Sequence, residues 1–135
     1  MSMPRSRSFL FVLLALGGVG AGCYPTPNHM PIILAGPRPL GSPSTPGGLR
    51  FEEGTVIQLQ LEVKDQDNDE VFFRWSQVPA NPAGAFSSTT VATPTWTVPS
   101  PPEDPNTPIY LWVEVEDGND GVLIGQSPAL YVIAK

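Results

Sequence analysis

Among the 135 residues there is one cysteine, Cys23, and one histidine, His29. A lone cysteine excludes an intramolecular disulfide, so the fold must be held by burial and backbone hydrogen bonds. A lone histidine excludes a histidine metal cluster, and it makes any Ser-His-Asp arrangement depend on one residue near the start of the folded part. Basic residues are scarce as well, 7 against 13 acidic ones, and two of them, Arg5 and Arg7, lie at the N-terminus. From Cys23 onward the balance is five basic to thirteen acidic residues, net −8, which argues against a nucleic-acid partner. The longest apolar run, Phe9 to Leu16, falls well short of the ~20 residues a helix needs to cross a bilayer. There is no glycine-rich phosphate loop, and no segment recurs at a period of about 20 to 50 residues, which sets solenoids and propellers aside. Without a nucleophile, base and oxyanion donors in any recognisable pattern, the sequence reads as non-catalytic.

Proline and glycine are plentiful, 17 and 13 residues, and they favour turns over long helices. At the N-terminus, Arg5 and Arg7 precede the apolar run, and small residues lead through Gly17, Gly18, Val19, Gly20, Ala21 and Gly22 to Cys23. This is the layout of an export signal. Small residues before a single cysteine resemble the lipobox of bacterial lipoproteins, although Gly20 stands where that family usually has Leu. The resemblance implies cleavage before Cys23 and acylation of it, with attachment strengthened by ~0.8 kcal/mol per buried CH2. Tyr24 is not the aspartate associated with inner-membrane retention in such proteins, so the outer membrane is the expected address. The alternative is a plain export signal that leaves Cys23 as a free buried thiol. The expected division is a lipoprotein signal peptide over 1–22, a short tether over 23–27 and one domain over 28–135.

That domain alternates with period two. Ile57, Leu59, Leu61 and Val63 face one way and Gln58, Gln60, Glu62 and Lys64 the other, as in a half-buried strand. Val71, Phe73 and Trp75 against Phe72, Arg74 and Ser76 predict a second strand, expected to form a hairpin with the first. Ala92, Trp96 and Val98 suggest a short strand, interrupted by Pro94 and placed at an edge. Ile109, Leu111, Val113 and Val115 alternate with Tyr110, Trp112, Glu114 and Glu116. The turn from Asp117 to Gly121 then leads to a return strand interrupted near Gly125 and Pro128. Met30 to Leu34 is the expected first strand, followed by a loop from Gly36 to Gly48.

Several short motifs occur together: Asn28-x-x-Pro31-Ile32-Ile33, Gly54 before an alternating strand, Asp65-x-Asp67-x-Asp69, Phe72-x-x-Trp75 and Val115-x-Asp117-Gly118. Their order over 28–135 resembles PKD-type and cadherin-like repeats of bacterial surface proteins. The resemblance implies an all-β fold, a single immunoglobulin-like antiparallel β-sandwich of seven strands with Trp75 in its core.

Asp65, Asp67, Asp69 and Glu70 are expected in the loop after one strand, and Asp117 and Asp120 in another loop at the same end. Carboxylates gathered at one pole repel each other. A hard cation with oxygen ligands, calcium before others, would relieve that repulsion; the competing reading is a set of solvated turns. An EF-hand is a poor match, lacking glycine and a closing glutamate at the right spacing. Antiparallel order places Asn28 at the same pole, about five residues from the lipid, a reach of ~17 Å. Tyr110 and Trp112 lie opposite the core face of their strand, either as an aromatic platform for a partner or covered by proline-rich loops. Three readings of function follow: a lipid-anchored cell-envelope module that binds a protein or polysaccharide, a calcium-dependent adhesion domain, and an accessory domain of an envelope hydrolase.

Overall fold

Alternating apolar residues between proline- and glycine-rich turns build strands and no helix among the described residues. A computed structural model describes residues 22–43 and 46–135. The expected signal peptide therefore lies, but for Gly22, outside the described residues. The strands are β1 (Ile32–Pro39), β2 (Leu49–Glu52), β3 (Val56–Lys64), β4 (Phe72–Val78), β5 (Ala85–Phe86), β6 (Thr95–Thr97), β7 (Tyr110–Glu116), β8 (Val122–Gln126) and β9 (Leu130–Ile133).

One antiparallel sheet has the order β1-β3-β6-β5 and another the order β4-β7-β8, while β2 and β9 pair with each other. Alternation decides which side chains go inside. Ile57, Leu59 and Leu61 of β3, Trp75 of β4, Trp96 of β6, Leu111, Val113 and Val115 of β7, and Leu130 and Val132 of β9 form one buried cluster. Burying each such side chain is worth about 1.5–3 kcal/mol. Both central tryptophans also have their indole N–H satisfied. Trp75 Nε1 donates to the Val91 carbonyl at 2.8 Å and Trp96 Nε1 to Gln77 Oε1 at 3.2 Å.

The structure corrects several sequence expectations. β3 and β4 are not a hairpin, because β3 pairs with β1 and β6 while β4 pairs with β7. The acidic segment between them crosses from one sheet to the other. The expected edge strand, β6, lies inside its sheet between β3 and the two-residue β5. The chain from Gly36 to Pro39, expected as loop, is the second half of β1, which starts at Ile32. β1 is a sheet edge with two register shifts against β3, the kind of position where proline is tolerated because a ladder N–H is not required. The fold is not purely antiparallel, since β2 runs parallel to β9 from Leu49↔Leu130 to Glu52↔Ile133. Nine strands stand where the resemblance implied seven.

The β7–β8 hairpin is present as expected. Its return strand ends by changing partners: Gly125 stays in β8, and the break falls at Ser127 to Ala129, after which β9 joins β2. Gly125 has a packing reason to be glycine. A Cβ there would lie 2.8 Å from both the Ile33 side chain and the Pro37 ring.

Candidate functional site

The two loops expected to be acidic lie at one pole, and each is organised by the aspartate that follows its strand. Asp65 comes after β3 and is 8% exposed; its Oδ1 accepts the N–H groups of Asp67 at 2.9 Å and Asp69 at 3.0 Å. Asp117 comes after β7 and is 3% exposed; its Oδ1 accepts the N–H groups of Asn119 at 2.8 Å and Gly121 at 3.0 Å. In each loop the third residue on, Asn68 or Asp120, has positive φ, at 60° and 66°, a conformation asparagine and aspartate tolerate better than most residues. Aspartate, with an acceptor on a short stem, suits this role because it closes a turn on the backbone donors two and four residues on.

The second oxygens differ. Asp117 Oδ2 accepts from Asn28 Nδ2 at 2.7 Å. Asp65 Oδ2 is shielded from solvent and has no hydrogen-bond partner. The chain leading into β1 is held at the same place. Asn28 Nδ2 also reaches the Asn119 carbonyl at 3.2 Å, the His29 N–H donates to Asp67 Oδ2 at 2.6 Å, and His29 Nδ1 lies 2.9 Å from Asp67 Oδ1. Asn119 Nδ2 donates to Asp69 Oδ2 at 2.9 Å and ties the two loops together. The hydrogen bonds from the His29 backbone and ring, in that order, hold the Asp67 carboxyl below its ordinary range. For Asp117 the Asn28 amide is the first cause and the Asn119 N–H the second, again lowering the value.

Of the six carboxylates expected at this pole, the structure brings Asp65, Asp67 and Asp69 into one group, each offering an oxygen within 4.8 Å of the others. Asp117 adjoins it through Asn28 and Asn119. Glu70 and Asp120 are exposed and outside the group. Thr26, Pro27, Asn28, Asp67, Asp69 and Asn119 line a cleft of about 320 Å³ between the N-terminal lead and the two loops. Asn28 was legible as a residue of this pole from strand direction alone. Asn119 was not singled out, because a turn of the form Asp-Gly-Asn-Asp-Gly already explains an asparagine without a tie to a second loop.

His29 with Asp67 makes a His–Asp pair, yet among the described residues no hydroxyl or thiol is hydrogen-bonded to the ring. Cys23 is exposed and free, unlike the buried thiol of the plain-signal alternative. Tyr110 and Trp112 are each half-buried, neither an open platform nor a covered pair. Trp112 Nε1 is shielded and without a partner.

No protein-family model and no curated protein matches the chain. Among solved structures, it is similar to a nucleoside hydrolase-related hypothetical protein from Saccharophagus degradans associated with carbohydrate metabolism. The identity is 16% and the TM-score 0.52, over 80% of this chain and 26% of that one. The chain thus spans about a quarter of that protein, and the likeness concerns the fold alone. A chimeric titin Z1Z2 carrying an exogenous KLER peptide from decorin aligns over 82% of this chain and 100% of its own, at 13% identity and a TM-score of 0.47.

Proposed function

We propose that the chain is a lipid-anchored, non-catalytic module of a bacterial cell envelope. In this reading an immunoglobulin-like sandwich of the PKD or cadherin-like type is fixed through Cys23, in the outer membrane, and presented to an envelope protein or polysaccharide. The observation that carries the reading is the position of Cys23. Its thiol is exposed and free, follows an export-like segment, and stands five residues before Asn28, where the chain is clamped to Asp117. A residue so placed is accessible to an acylating enzyme and, once acylated, holds the domain by a lead fastened at one pole.

The test is metabolic labelling with a clickable fatty-acid analogue in a bacterial host expressing the full chain. Label should enter the wild-type protein and be lost in Cys23→Ser, with the protein moving from the membrane to the soluble fraction. Wild-type protein without label, or label retained by Cys23→Ser, would refute the anchor.

A further inference from the structure

An open sheet edge exposes a row of N–H and C=O groups with which another strand can pair, and folds blunt such edges with proline, bulges, very short strands or a covering segment. Most edges of this fold are blunted. β1 carries Pro37, Pro39 and two register shifts, and β5 has only two residues. Beside β4, the Trp75 N–H is taken by the Thr89 carbonyl at 2.8 Å. β8 has β1 packed against it, close enough that a Cβ on Gly125 would lie 2.8 Å from the Ile33 and Pro37 side chains. β2 differs: it has neither proline nor bulge, and among the described residues no strand pairs with its side away from β9.

That open side suits one pairing above others. The Leu49 N–H donates to the Ala129 carbonyl at 2.8 Å and the Glu53 N–H to the Ile133 carbonyl at 2.9 Å. Alternation along the strand therefore turns the N–H and C=O groups of Arg50 and Glu52 away from β9, to the open side. Their side chains share the outer face of β2 and are exposed, with the Arg50 guanidinium 5.2 Å over the Tyr131 ring. Leu49 and Phe51 are half-buried on the core side. Alongside lies a cleft of about 490 Å³ lined in part by Pro39, Leu40, Leu49, Arg50, Phe51 and Val56, where Leu40 is 62% exposed.

We infer that β2 pairs with β2 of a second copy of this chain, antiparallel and centred on Phe51. In that register Arg50 of each copy lies opposite Glu52 of the other, so the strand is complementary to itself in charge. The same two residues carry the backbone groups that point away from β9, and each Arg50–Glu52 pair exchanges both N–H···O=C bonds. The Glu52 carbonyl already accepts the Thr55 N–H at 3.1 Å and keeps a second lone pair for this bond. Other registers fail. A slip of one residue sets the core face of one strand against the outer face of the other, and a slip of two sets Arg50 against Arg50 or Glu52 against Glu52, like charges directly opposite. On the core side the two Phe51 rings meet, and the cleft beside each β2 receives apolar residues of the other copy. β2 turns into β3 through Glu53 to Thr55, and β3 leads to Asp65 at the acidic pole, so the twofold sets the acidic poles at opposite ends, clear of the joined edges. The inference goes beyond the envelope reading and does not depend on acylation of Cys23.

The experiment is sedimentation equilibrium of the full chain in a density-matched non-ionic detergent at physiological salt, over about 1 µM to 1 mM, the span of weak association. The protein mass should rise with concentration from that of one chain toward that of two. Arg50→Glu and Glu52→Arg each set like charges opposite one another at both pairs, and each alone should weaken association about tenfold or more. An equimolar mixture of the two single variants re-forms both opposite-charge pairs, as does the double variant Arg50→Glu/Glu52→Arg, and both should associate again as wild type does. A chain that had lost its fold could not be rescued by mixing, so rescue separates a broken interface from a broken domain. The inference is overturned if the wild-type chain stays monomeric throughout, if both single variants associate as wild type does, or if neither the mixture nor the double variant regains association. Because labelling of Cys23 is read separately, failure here leaves the anchor intact, and the reverse also holds.

Discussion

The aspartates that close β3 and β7 each direct one carboxylate oxygen to the N–H groups two and four residues on. Asp117 directs the other to Asn28, and Asp67 accepts both the backbone N–H and the ring of His29. In the folded chain the Asp67 and Asp117 carboxyls are held below their ordinary range, so folding favours the ionised forms. The sign of the pH dependence follows. The stabilisation is fully present above the unfolded value of about 3.9 and is lost as pH falls through the lower folded values. The melting midpoint should therefore be nearly flat above about pH 5 and fall below about pH 4. Asn28→Ala removes the first cause at Asp117, and it should lower the midpoint at neutral pH while making the acid limb shallower. Scanning calorimetry from acid to neutral pH reads both, and an unchanged limb in Asn28→Ala would show that the clamp does not set the carboxyl. Glycine matters at one point of this pole: a Cβ on Gly121 would stand 2.3 Å from Asp117 Oδ2, so no larger residue fits beneath the clamp.

At the scale of elements, the step between β8 and β9 is made by a side chain. Ser127 N–H donates to the Leu111 carbonyl at 2.8 Å. Its Oγ accepts the Leu111 N–H at 2.9 Å and donates to the Pro128 carbonyl, also at 2.9 Å. The hydroxyl thus stands in for the backbone carbonyl that a continued strand would have offered to β7. Ser127→Ala should cost about 1–3 kcal/mol, because the Leu111 N–H is left buried without a partner; urea denaturation measures it. A loss near zero would mean that another acceptor takes over. What the sequence makes legible here is the facing of residues and not their pairing. Period two assigned Ile57, Leu59, Leu61 and the β7 set to the interior, and those residues are buried. It could not say that β3 and β4 belong to different sheets, because the same alternation suits a hairpin and a crossover equally well. Pro37 and Pro39 hid the second half of β1, since proline reads as loop unless the strand is known to lie at an edge. The short, half-buried β2 has little pattern of its own, and its parallel pairing with β9 depends on contacts far apart in the chain. At the pole, the charges were legible in sequence, whereas the unpartnered Asp65 oxygen depends on burial that no sequence pattern reports.

Over the whole molecule, strand direction and the clamp together fix an orientation. β3 runs toward the acidic pole and β4 away from it, so the residues after β3 lie at that pole while those before β3 and after β4 lie at the far one. Asn28 is fastened at the acidic pole, and the five residues from Cys23 extend at most ~17 Å. Under the proposed anchor, an acyl group on Cys23 would hold this pole close to the head groups, with the far pole projecting away from the bilayer. The net charge of −8 from Cys23 onward opposes a flat approach to anionic lipid within a Debye length of about 8 Å at physiological salt, which favours standing on the tethered end. With Cys23 acylated and unreactive, a donor fluorophore attached through Gln66→Cys should transfer energy to a head-group acceptor far more efficiently than one attached through Ala80→Cys, both positions being exposed. Raising sodium chloride should narrow that contrast only slightly, because the tether and not the charge sets the nearer distance. Equal transfer from the two positions would mean that the domain lies on its side, and stronger transfer from residue 80 would place the acidic pole outermost, either of which removes the geometric basis for a lead that works as a short stiff mount.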